Sequence, residues 1–295
     1  MRLVALREIP EDPHLRQQWN ALAERVAQPQ VFYTYEWALA VQRAYHASLV
    51  PLLFLAYDLP DSLCGVAALA TDLSGNRASF LCATTGDYCD FLSLPEDSPP
   101  FVDAVLAELR KLGLQNISLA NLPTDSATAA ALRRSARQHG YHCFARTGYV
   151  CAQVSFRSLS REKGEKPETP RPKMVRRFLK AMSQQEPAHL DHARAWDSIQ
   201  PLLPELMRAH IARFLVTGRI SNMAQPERRI FLAELARLLS ESGWLTLSRL
   251  VSGDKSYAWN YGFQFHDTWF WYQPTFDSDW EKFSPGFCLL SKLIE

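Results

Sequence analysis

The sequence predicts an α+β protein whose mixed, mainly antiparallel sheets are flanked by helices. Two blocks of short apolar runs, over residues 50–82 and 245–273, are each divided by tight polar turns, which is typical of antiparallel hairpins. Helical patterns with a period of three to four residues precede both blocks, and another follows each of them. Helices and strands are segregated rather than strictly alternating, which favours the α+β class. Because this order of elements occurs twice, we expect two domains of one fold.

The first half begins with two amphipathic helices. Apolar residues spaced by three to four predict a helix over 13–29, and Thr34 is the expected N-cap of a second helix that presents Trp37 and Val41. From Val50 onward the pattern becomes strand-like. The expected strands cover 50–57, 63–71, 78–82, 90–94 and 118–122, with a last strand pair over 142–154, and the expected helices cover 101–112 and 127–139.

The second half is introduced by a change in composition. Residues 157–180 contain nine basic groups and three prolines, which predicts a flexible linker over 157–172. This linker separates an expected N-terminal domain, residues 1–156, from an expected C-terminal domain, residues 173–295. In the second domain a basic helix begins at Lys173, two more helices cover 196–214 and 225–242, and strands cover 245–251, 257–265 and 268–273.

Composition and charge exclude several classes of protein. The chain has 295 residues, of which 47% are apolar and 21% are charged, so a packed globular protein is expected. The formal net charge of +1 argues against a DNA-binding protein that relies on bulk positive charge. No apolar run approaches the roughly 20 residues that a membrane-spanning helix needs, and no signal-peptide core is visible. We therefore expect a cytoplasmic protein.

The cysteines and histidines do not predict a metal site. Six cysteines are scattered along the chain without a Cys-x-x-Cys pair, and the histidines lack the spacing of metal ligands. Small buried thiols in a reducing compartment explain this distribution.

The turn before the last helix is the best candidate for binding a phosphate. Ser284, Pro285 and Gly286 open an apolar helix, and Phe287 is the next residue. A glycine lets the backbone approach a ligand closely, and the start of a helix offers N–H groups and a positive dipole end to an anion. This predicts a site for a phosphate-bearing cofactor. The alternative interpretation is ordinary helix initiation, with Ser284 as N-cap and Pro285 at the first position.

Three residues are candidates for acid–base chemistry. Asp277, in the acidic loop before that turn, could accept a proton from an attacking amine, and Tyr272 could protonate a leaving sulfur. His210 could act in catalysis or on the substrate side. Each has a structural alternative: a solvated loop carboxylate for Asp277, a rim or core aromatic for Tyr272, and a packed histidine for His210, which lies on an apolar helix face.

Five further residues are candidates for binding substrate. Asn260 and Tyr261 lie on the strand next to Tyr272 and are expected to face the same region. Asp87 and Tyr88 follow a strand and could line a cleft, although turn hydrogen bonds would also explain them. Arg177 could meet phosphates or an acidic acceptor, unless it belongs to a solvated basic face.

Several motifs, taken together, resemble a known family. They are Phe32-Tyr33-Thr34-Tyr35-Glu36-Trp37, Gly86-Asp87-Tyr88-Cys89-Asp90, Met174-Val175-Arg176-Arg177, His210 with Arg213, Tyr261-Gly262-Phe263, Phe276-Asp277 and Ser284-Pro285-Gly286. In this order and spacing they resemble the CelD/BcsL-type acetyltransferases linked to cellulose and exopolysaccharide synthesis. These proteins belong to the GNAT superfamily, on its FemAB-like tandem branch.

The resemblance implies two tandem GNAT-like domains and a transfer reaction. It implies that acetyl-CoA or another acyl-CoA donates its acyl group to an amine acceptor, a small molecule or a sugar, in exopolysaccharide or cell-envelope synthesis. Two features depart from the family pattern. The glycine-rich phosphate signature is reduced to Ser-Pro-Gly, and the sequence stops inside a helix at Glu295, where the family continues with another strand and helix. The resemblance therefore predicts an incomplete second domain.

Two other functions remain open at this point. A FemAB-like enzyme would use aminoacyl-tRNA as donor, but the near-neutral charge weakens that interpretation because tRNA binding favours a broad basic face. A non-catalytic interaction protein that retains the fold is the third hypothesis, supported by the reduced phosphate signature.

Overall fold

The computed structural model of the protein describes residues 1–58, 61–155, 171–183 and 186–295. The chain divides into two compact units, which we call unit 1 (Met1–Val150) and unit 2 (Cys151–Glu295). Both units combine helices with antiparallel or mixed sheets, so the predicted α+β class is confirmed. The predicted linker lies mostly outside the described residues. No helix in the described part of the chain has the length and apolar character needed to cross a membrane.

Unit 1 is built on a mixed sheet. Its strands β1 to β4 form an antiparallel meander in chain order, β6 joins β4 in parallel, and the short β5 pairs with β3. The elements are β1 Arg2–Leu6, α1 Pro13–Arg25, α2 Tyr35–Tyr45, β2 Leu49–Asp58, β3 Ser62–Asp72, β4 Arg77–Phe80, β5 Leu92–Ser93, α3 Ser98–Lys111, β6 Asn116–Ser118 and α4 Ala127–Ser135.

Capping side chains explain where helices of unit 1 begin. Asp12 accepts from the His14 N–H ahead of α1, and Thr34 accepts from the Trp37 N–H ahead of α2, as the sequence predicts. Ser126 does the same for α4 through the Thr128 N–H. Each cap satisfies a backbone donor that the helix itself leaves without a partner.

The core of unit 1 covers both faces of the sheet. Val66 of β3 lines a small cavity together with Trp19 of α1, whereas its neighbour Gly65 lies against the Phe101 ring of α3. Successive residues of a strand point to opposite faces, so α1 and α3 pack on opposite sides of the sheet. Trp37 is fully buried, and its indole N–H donates to Thr85 Oγ1 at 3.0 Å.

Unit 2 is built on an antiparallel sheet in the order β10-β9-β8-β7. Three 3₁₀ helices, Gln200–Leu202, Asn222–Ala224 and Ser278–Phe283, lie in the described parts of its connections. The elements are α5 Pro172–Met182, β7 His189–Ala193, α6 Trp196–Ile199, α7 Leu203–Val216, α8 Pro226–Ser240, β8 Leu245–Ser252, β9 Lys255–Phe265, β10 Thr268–Phe276 and α9 Pro285–Ile294.

The two faces of the unit 2 sheet are covered by different helices. Tyr261 of β9 donates its O–H to the Leu232 carbonyl of α8, so its face packs against α7 and α8. On the opposite face, Ala258 joins a core formed with Phe178 of α5 and Leu289 of α9. Helices thus bury both sides of the sheet, as in unit 1.

The two units share one order of elements. A first strand, helices, three antiparallel strands and a helix follow one another in both, so β1–β4 correspond in order to β7–β10 and α3 corresponds to α9. Unit 1 continues with β6 and α4.

One expected pair of strands is absent from the described residues, and the strands β1 and β7 were not predicted. The strand pair expected over 142–154 is absent: the described residues 141–155 form neither helix nor strand. Their alternating apolar side chains remain exposed, Phe144 by 91% and Val150 by 90%, because no neighbouring strand pairs with them. Conversely, β7 was not predicted. It is short and carries one large apolar residue, Leu190, and it is fixed by pairing with β8 and by the ion pair between Asp191 and Arg249.

Candidate functional site

The strand β10 lies at the edge of the described sheet and contains a bulge. The register between β10 and β9 shifts between Phe270 and Gln273, which leaves Trp271 and Tyr272 opposite Gly262. A Cβ atom added at Gly262 would fall onto the Asn260 carboxamide and lie 2.9 Å from the Phe270 carbonyl oxygen. Only glycine fits there without displacing the bulge.

The bulge places Tyr272 against a buried arginine. Arg228, in the first turn of α8, is 3% exposed, and its Nη2 donates to Tyr272 Oη at 2.6 Å. The guanidinium also lies over the rings of Phe231 and Tyr272, at 5.1 and 5.5 Å from their centroids. Its Nε and Nη1 have no hydrogen-bond partner. Strand β10 and helix α8 thus enclose a polar cluster in a mostly apolar layer.

His210 of α7 belongs to the same cluster. Its Nδ1 lies 2.8 Å from Ser221 Oγ, and its ring stacks on Phe214 with 4.5 Å between centroids. Burial lowers the pKa of His210 to about 4, and the nearby charges of Arg213 and Arg228 act in the same direction. The imidazole is therefore neutral at physiological pH.

The start of α9 carries no capping side chain. Ser284 occupies the N-cap position, as predicted, but its hydroxyl makes no cap hydrogen bond, and its backbone has φ 46° in the left-handed region. Pro285 is buried and supplies no N–H donor, so Gly286 and Phe287 present the first backbone N–H groups. A helix start of this kind can receive an anion.

Arg213 adds positive charge close to this helix start. Its guanidinium lies 4.5 Å over the Phe276 ring, and its Nη1 donates to the Pro274 carbonyl at 3.2 Å. The same ring would be 3.3 Å from a Cβ atom added at Gly286. Arg213 is half-buried and lies between the bulge in β10 and the start of α9.

Asp277 is held by contacts on both carboxylate oxygens. Its Oδ1 accepts from the Asp279 N–H at 3.1 Å, which caps a 3₁₀ helix, and its Oδ2 lies 3.4 Å from Lys255 Nζ. These contacts fix the loop that leads to α9. The catalytic role predicted for Asp277 remains a prediction.

The candidate binding residues lie in different places. Tyr261 is fully buried on the α8 side, and burial raises the pKa of its phenol well above the ordinary value. Asn260 faces the α9 side, where neither atom of its carboxamide has a partner. Arg177 lies on the exposed side of α5, with its guanidinium 5.2 Å from the Phe178 ring.

Asp87 and Tyr88 belong to unit 1, in a loop that Asn121 holds. The Asn121 Nδ2 donates to the carbonyls of Gly86 and Ala83 at 2.8 and 3.1 Å, and its own carbonyl accepts from the Cys89 N–H. Asp87 is exposed, and Tyr88 is half-buried against Phe32.

The structure thus places Tyr272 in contact with Arg228 and His210 in the field of the same arginine, and it relates the turn of residues 284–287 to Arg213 through the Phe276 ring. It leaves Asn260 and Arg177 outside this cluster. Arg228, Arg213 and Asn121 were not singled out as functional residues in the sequence, because their partners are distant along the chain. For Arg228, the sequence Gln225-Pro226-Glu227-Arg228 reads as an ordinary charged first turn.

Comparison with known proteins relates unit 2 to a protein family. Residues 170–295 match the family model described as "Acetyltransferase (GNAT) domain". No curated protein matches the chain. A crystal structure described as a conserved protein of unknown function from Bacteroides thetaiotaomicron VPI-5482 is similar over 100% of this chain and 87% of its own, with a TM-score of 0.58 and 13% identity. That similarity concerns the fold alone. The family match supports acyl transfer in general.

Among the described residues, no group of three or more His, Cys, Asp or Glu side chains is arranged to hold a metal ion.

Proposed function

We propose that unit 2 is an acyltransferase that transfers an acetyl or other acyl group from acyl-CoA to an amine. The observation that carries the proposal is the match of residues 170–295 to a GNAT acetyltransferase domain. Unit 2 also combines an uncapped helix start, a nearby arginine and a bulged edge strand with a polar cluster at the bulge. These features suit a long ligand with a phosphate end and a reactive end.

The residues of unit 2 fit the phosphate end of acyl-CoA. The N–H groups of Gly286 and Phe287 and the guanidinium of Arg213 would hold the phosphates. From there the edge of β10 runs four residues from Phe276 to Tyr272, about 13 Å of strand. The outer edge of this strand would align the extended arm of the ligand.

Acyl-CoA, when bound, supplies a thioester whose carbonyl carbon can accept the amine nitrogen. In our proposal Nε2 of His210 accepts the proton that the amine loses, because its Nδ1 is held by Ser221. Tyr272 Oη donates a proton to the departing thiolate, and Arg228 stabilises the phenolate by donating to the same oxygen. Asp277 is the second candidate for the base, although both its oxygens are already engaged.

We extend the proposal to the finer expectations from the sequence. Unit 1 would be a second GNAT-like domain, because it shares its order of elements with unit 2. The amine would belong to a sugar or small molecule of exopolysaccharide or cell-envelope synthesis, as the motif resemblance implies. The cytoplasm would be the place of the reaction. Asp87, Tyr88, Asn260, Tyr261 and Arg177 remain candidate binding residues.

Calorimetric titration of the full chain with coenzyme A and with acetyl-CoA tests the proposal. We expect both to bind, and we expect Gly286→Trp to weaken binding at least tenfold, because the indole would cover the helix start. Gly148→Trp is the matched control, since Gly148 is exposed and a Cβ atom there meets nothing within 4 Å. Absence of binding by the unmodified chain would contradict the proposal. Equal weakening in both variants would contradict the placement at α9.

A further inference from the structure

The charge of Arg228 is buried without an acceptor that could neutralise it. The side chain is 3% exposed, and its Nε and Nη1 donate to nothing. Within the described ranges, no carboxylate forms an ion pair with it. A buried charge is normally paired, because removing a cation from water is costly unless an anion or several acceptors replace the water. The one hydrogen bond from Nη2 to Tyr272 Oη does not supply a negative charge.

The neighbours of Arg228 make the local field more positive. Arg213 is close enough to His210 that, together with Arg228, it lowers the pKa of that imidazole. Arg228 also occupies the first turn of α8, and no side chain caps this helix. The start of a helix favours negative charge and disfavours a cation. Glu227 supplies one negative charge in this first turn, but among the described residues it forms no ion pair with Arg228, so the arginine still lacks an anionic partner.

Two donors on the edge of the guanidinium, Nε and Nη1, have no acceptor. The rings of Phe231 and Tyr272 lie at 5.1 and 5.5 Å from Cζ and contact the guanidinium as cation–π partners. The N–H donors of an arginine lie in the plane of the group, where carboxylates and phosphates accept them. Nε and Nη1 are such donors.

The position of Arg228 relates this anion to the reaction. Its hydrogen-bond partner Tyr272 lies in the bulge of β10, and α8 follows the connection that carries Ser221, the partner of His210. These are the two residues to which the proposed function gives the proton transfers. An anion at Arg228 would therefore lie beside the reacting groups, away from the start of α9.

We infer that Arg228 is the binding residue for an anionic group on the acceptor, so that the acceptor is an amine bearing a carboxylate or a phosphate a few bonds from its nitrogen. This inference rests on the proposed function, because it is the acyl transfer that makes the ligand of this cluster an acceptor. In this inference Arg228 determines which acceptor is bound, whereas Gly286, Phe287 and Arg213 bind the phosphates of acyl-CoA.

Three amines with the same two-carbon spacing test the inference: β-alanine, phosphoethanolamine and ethanolamine. Each is added to the full chain with acetyl-CoA, and acetylated product is measured by mass spectrometry. Binding of each amine to the chain saturated with coenzyme A is measured by thermal shift. We expect β-alanine or phosphoethanolamine to bind and react at least tenfold better than ethanolamine. The comparison of these two identifies the anion as carboxylate or phosphate.

Variants of Arg228 separate recognition from folding. We expect Arg228→Met to abolish the preference for the anionic amine, and Arg228→Lys to weaken it about tenfold by keeping the charge without the planar donors. Arg208→Met, an exposed arginine of α7, should keep the preference. Without ligand, Arg228→Met should not lower the unfolding temperature, because it removes an unpaired buried charge.

Several outcomes overturn the inference. One is no difference among the three amines in either measurement, and another is an equal loss for all amines in Arg228→Met. A marked fall in the unfolding temperature of both Arg228 variants would make Arg228 a structural residue and would also overturn it. Calorimetry with acetyl-CoA keeps the two proposals apart: if acetyl-CoA still binds the unmodified chain, the proposed function survives the failure of this inference.

Discussion

Units 1 and 2 share an order of elements, but helix α4 of unit 1 begins differently from helices α8 and α9 of unit 2. In unit 1, the carboxylate of Asp90 accepts hydrogen bonds from Ser126 and Thr128 at the start of α4, so the protein's own anion occupies that helix end. In unit 2, α8 and α9 begin without a capping side chain, and arginines lie nearby. Helix α4 thus has an acidic side chain of the protein at its start, whereas the starts of α8 and α9, like that of α3 in unit 1, have no capping side chain.

The difference shows why the order of elements alone does not locate a function. Similar folds host different sites, and the site is decided by particular side chains. Unit 1 contains a half-buried acid with a raised pKa, Asp90, and unit 2 buries a neutral base and a cation, His210 and Arg228. The two units should therefore respond oppositely to acid.

The largest effect is expected at His210. The pKa of this imidazole is about 4 in the folded state, whereas its ordinary value is 6.5. Between these pH values the unfolded state therefore binds more protons than the folded state. Stability should fall as the pH decreases from 6.5 to 4, by roughly 3 kcal/mol at 1.36 kcal/mol per pKa unit. His210→Gln should remove this loss, as measured by urea unfolding across that range. His189→Gln, an exposed histidine of unit 2, should keep it. A slope that persists in His210→Gln would contradict the assignment.

Asp90 should give the opposite slope in unit 1. Burial raises its pKa from 3.8 to about 6, so the folded state binds more protons than the unfolded state between these values. Stability should fall as the pH increases from 4 to 6, by roughly 2–3 kcal/mol. Asp90→Asn should flatten this part of the profile, whereas Glu96→Gln, an exposed residue of the loop after β5, should not. Unchanged pH dependence in Asp90→Asn would show that another group titrates.

The corresponding strands β3 and β9 each contain a glycine, Gly65 and Gly262, and these two residues offer a sharper comparison. Gly65→Ala would bring Cβ 2.9 Å from the Phe101 ring, and Gly262→Ala would bring it 2.9 Å from a backbone oxygen in the bulge. A ring can shift more easily than a paired strand. We therefore expect Gly262→Ala to cost about 1–3 kcal/mol and to lower acyl transfer, while Gly65→Ala affects stability alone. If Gly65→Ala impairs transfer as much as Gly262→Ala while the protein remains folded, the comparison is contradicted.

The smallest effect is expected from removing one hydroxyl. Tyr272→Phe leaves Arg228 Nη2 without its acceptor, which should cost about 1–2 kcal/mol and slow transfer. Tyr35→Phe in unit 1 removes a hydrogen bond to the Pro10 carbonyl and should cost about 1 kcal/mol without affecting transfer. Both are measured by chemical unfolding and product formation. Normal transfer by Tyr272→Phe would exclude its phenol as the proton donor.

The sequence predicted the central helices and hairpins because their patterns are local. The cap at Thr34 and the strands around Leu53 and Tyr261 follow from spacing and turn residues within a few positions. The segment of residues 142–154 shows where prediction from local patterns fails. Its alternating apolar residues indicate a strand, but they do not provide the neighbouring strand with which it would have to pair. The pair formed by Arg228 and Tyr272 spans 44 positions, and no local pattern marks it. The start of α9 could be predicted because Ser-Pro-Gly before an apolar run is a local signal of helix initiation.

The six cysteines described above provide a natural readout of local opening. Cys143 and Cys151 are exposed, whereas Cys82 and Cys89 are buried in unit 1 and Cys288 is buried in unit 2. Burial raises the pKa of Cys82 to about 12 and that of Cys288 to about 11, so neither is a reactive thiolate in the folded chain. A thiol reagent should label the exposed pair at once and the buried thiols at the rate at which their own unit opens. Mass spectrometry of labelled peptides would then time the opening of each unit separately, without introducing a probe.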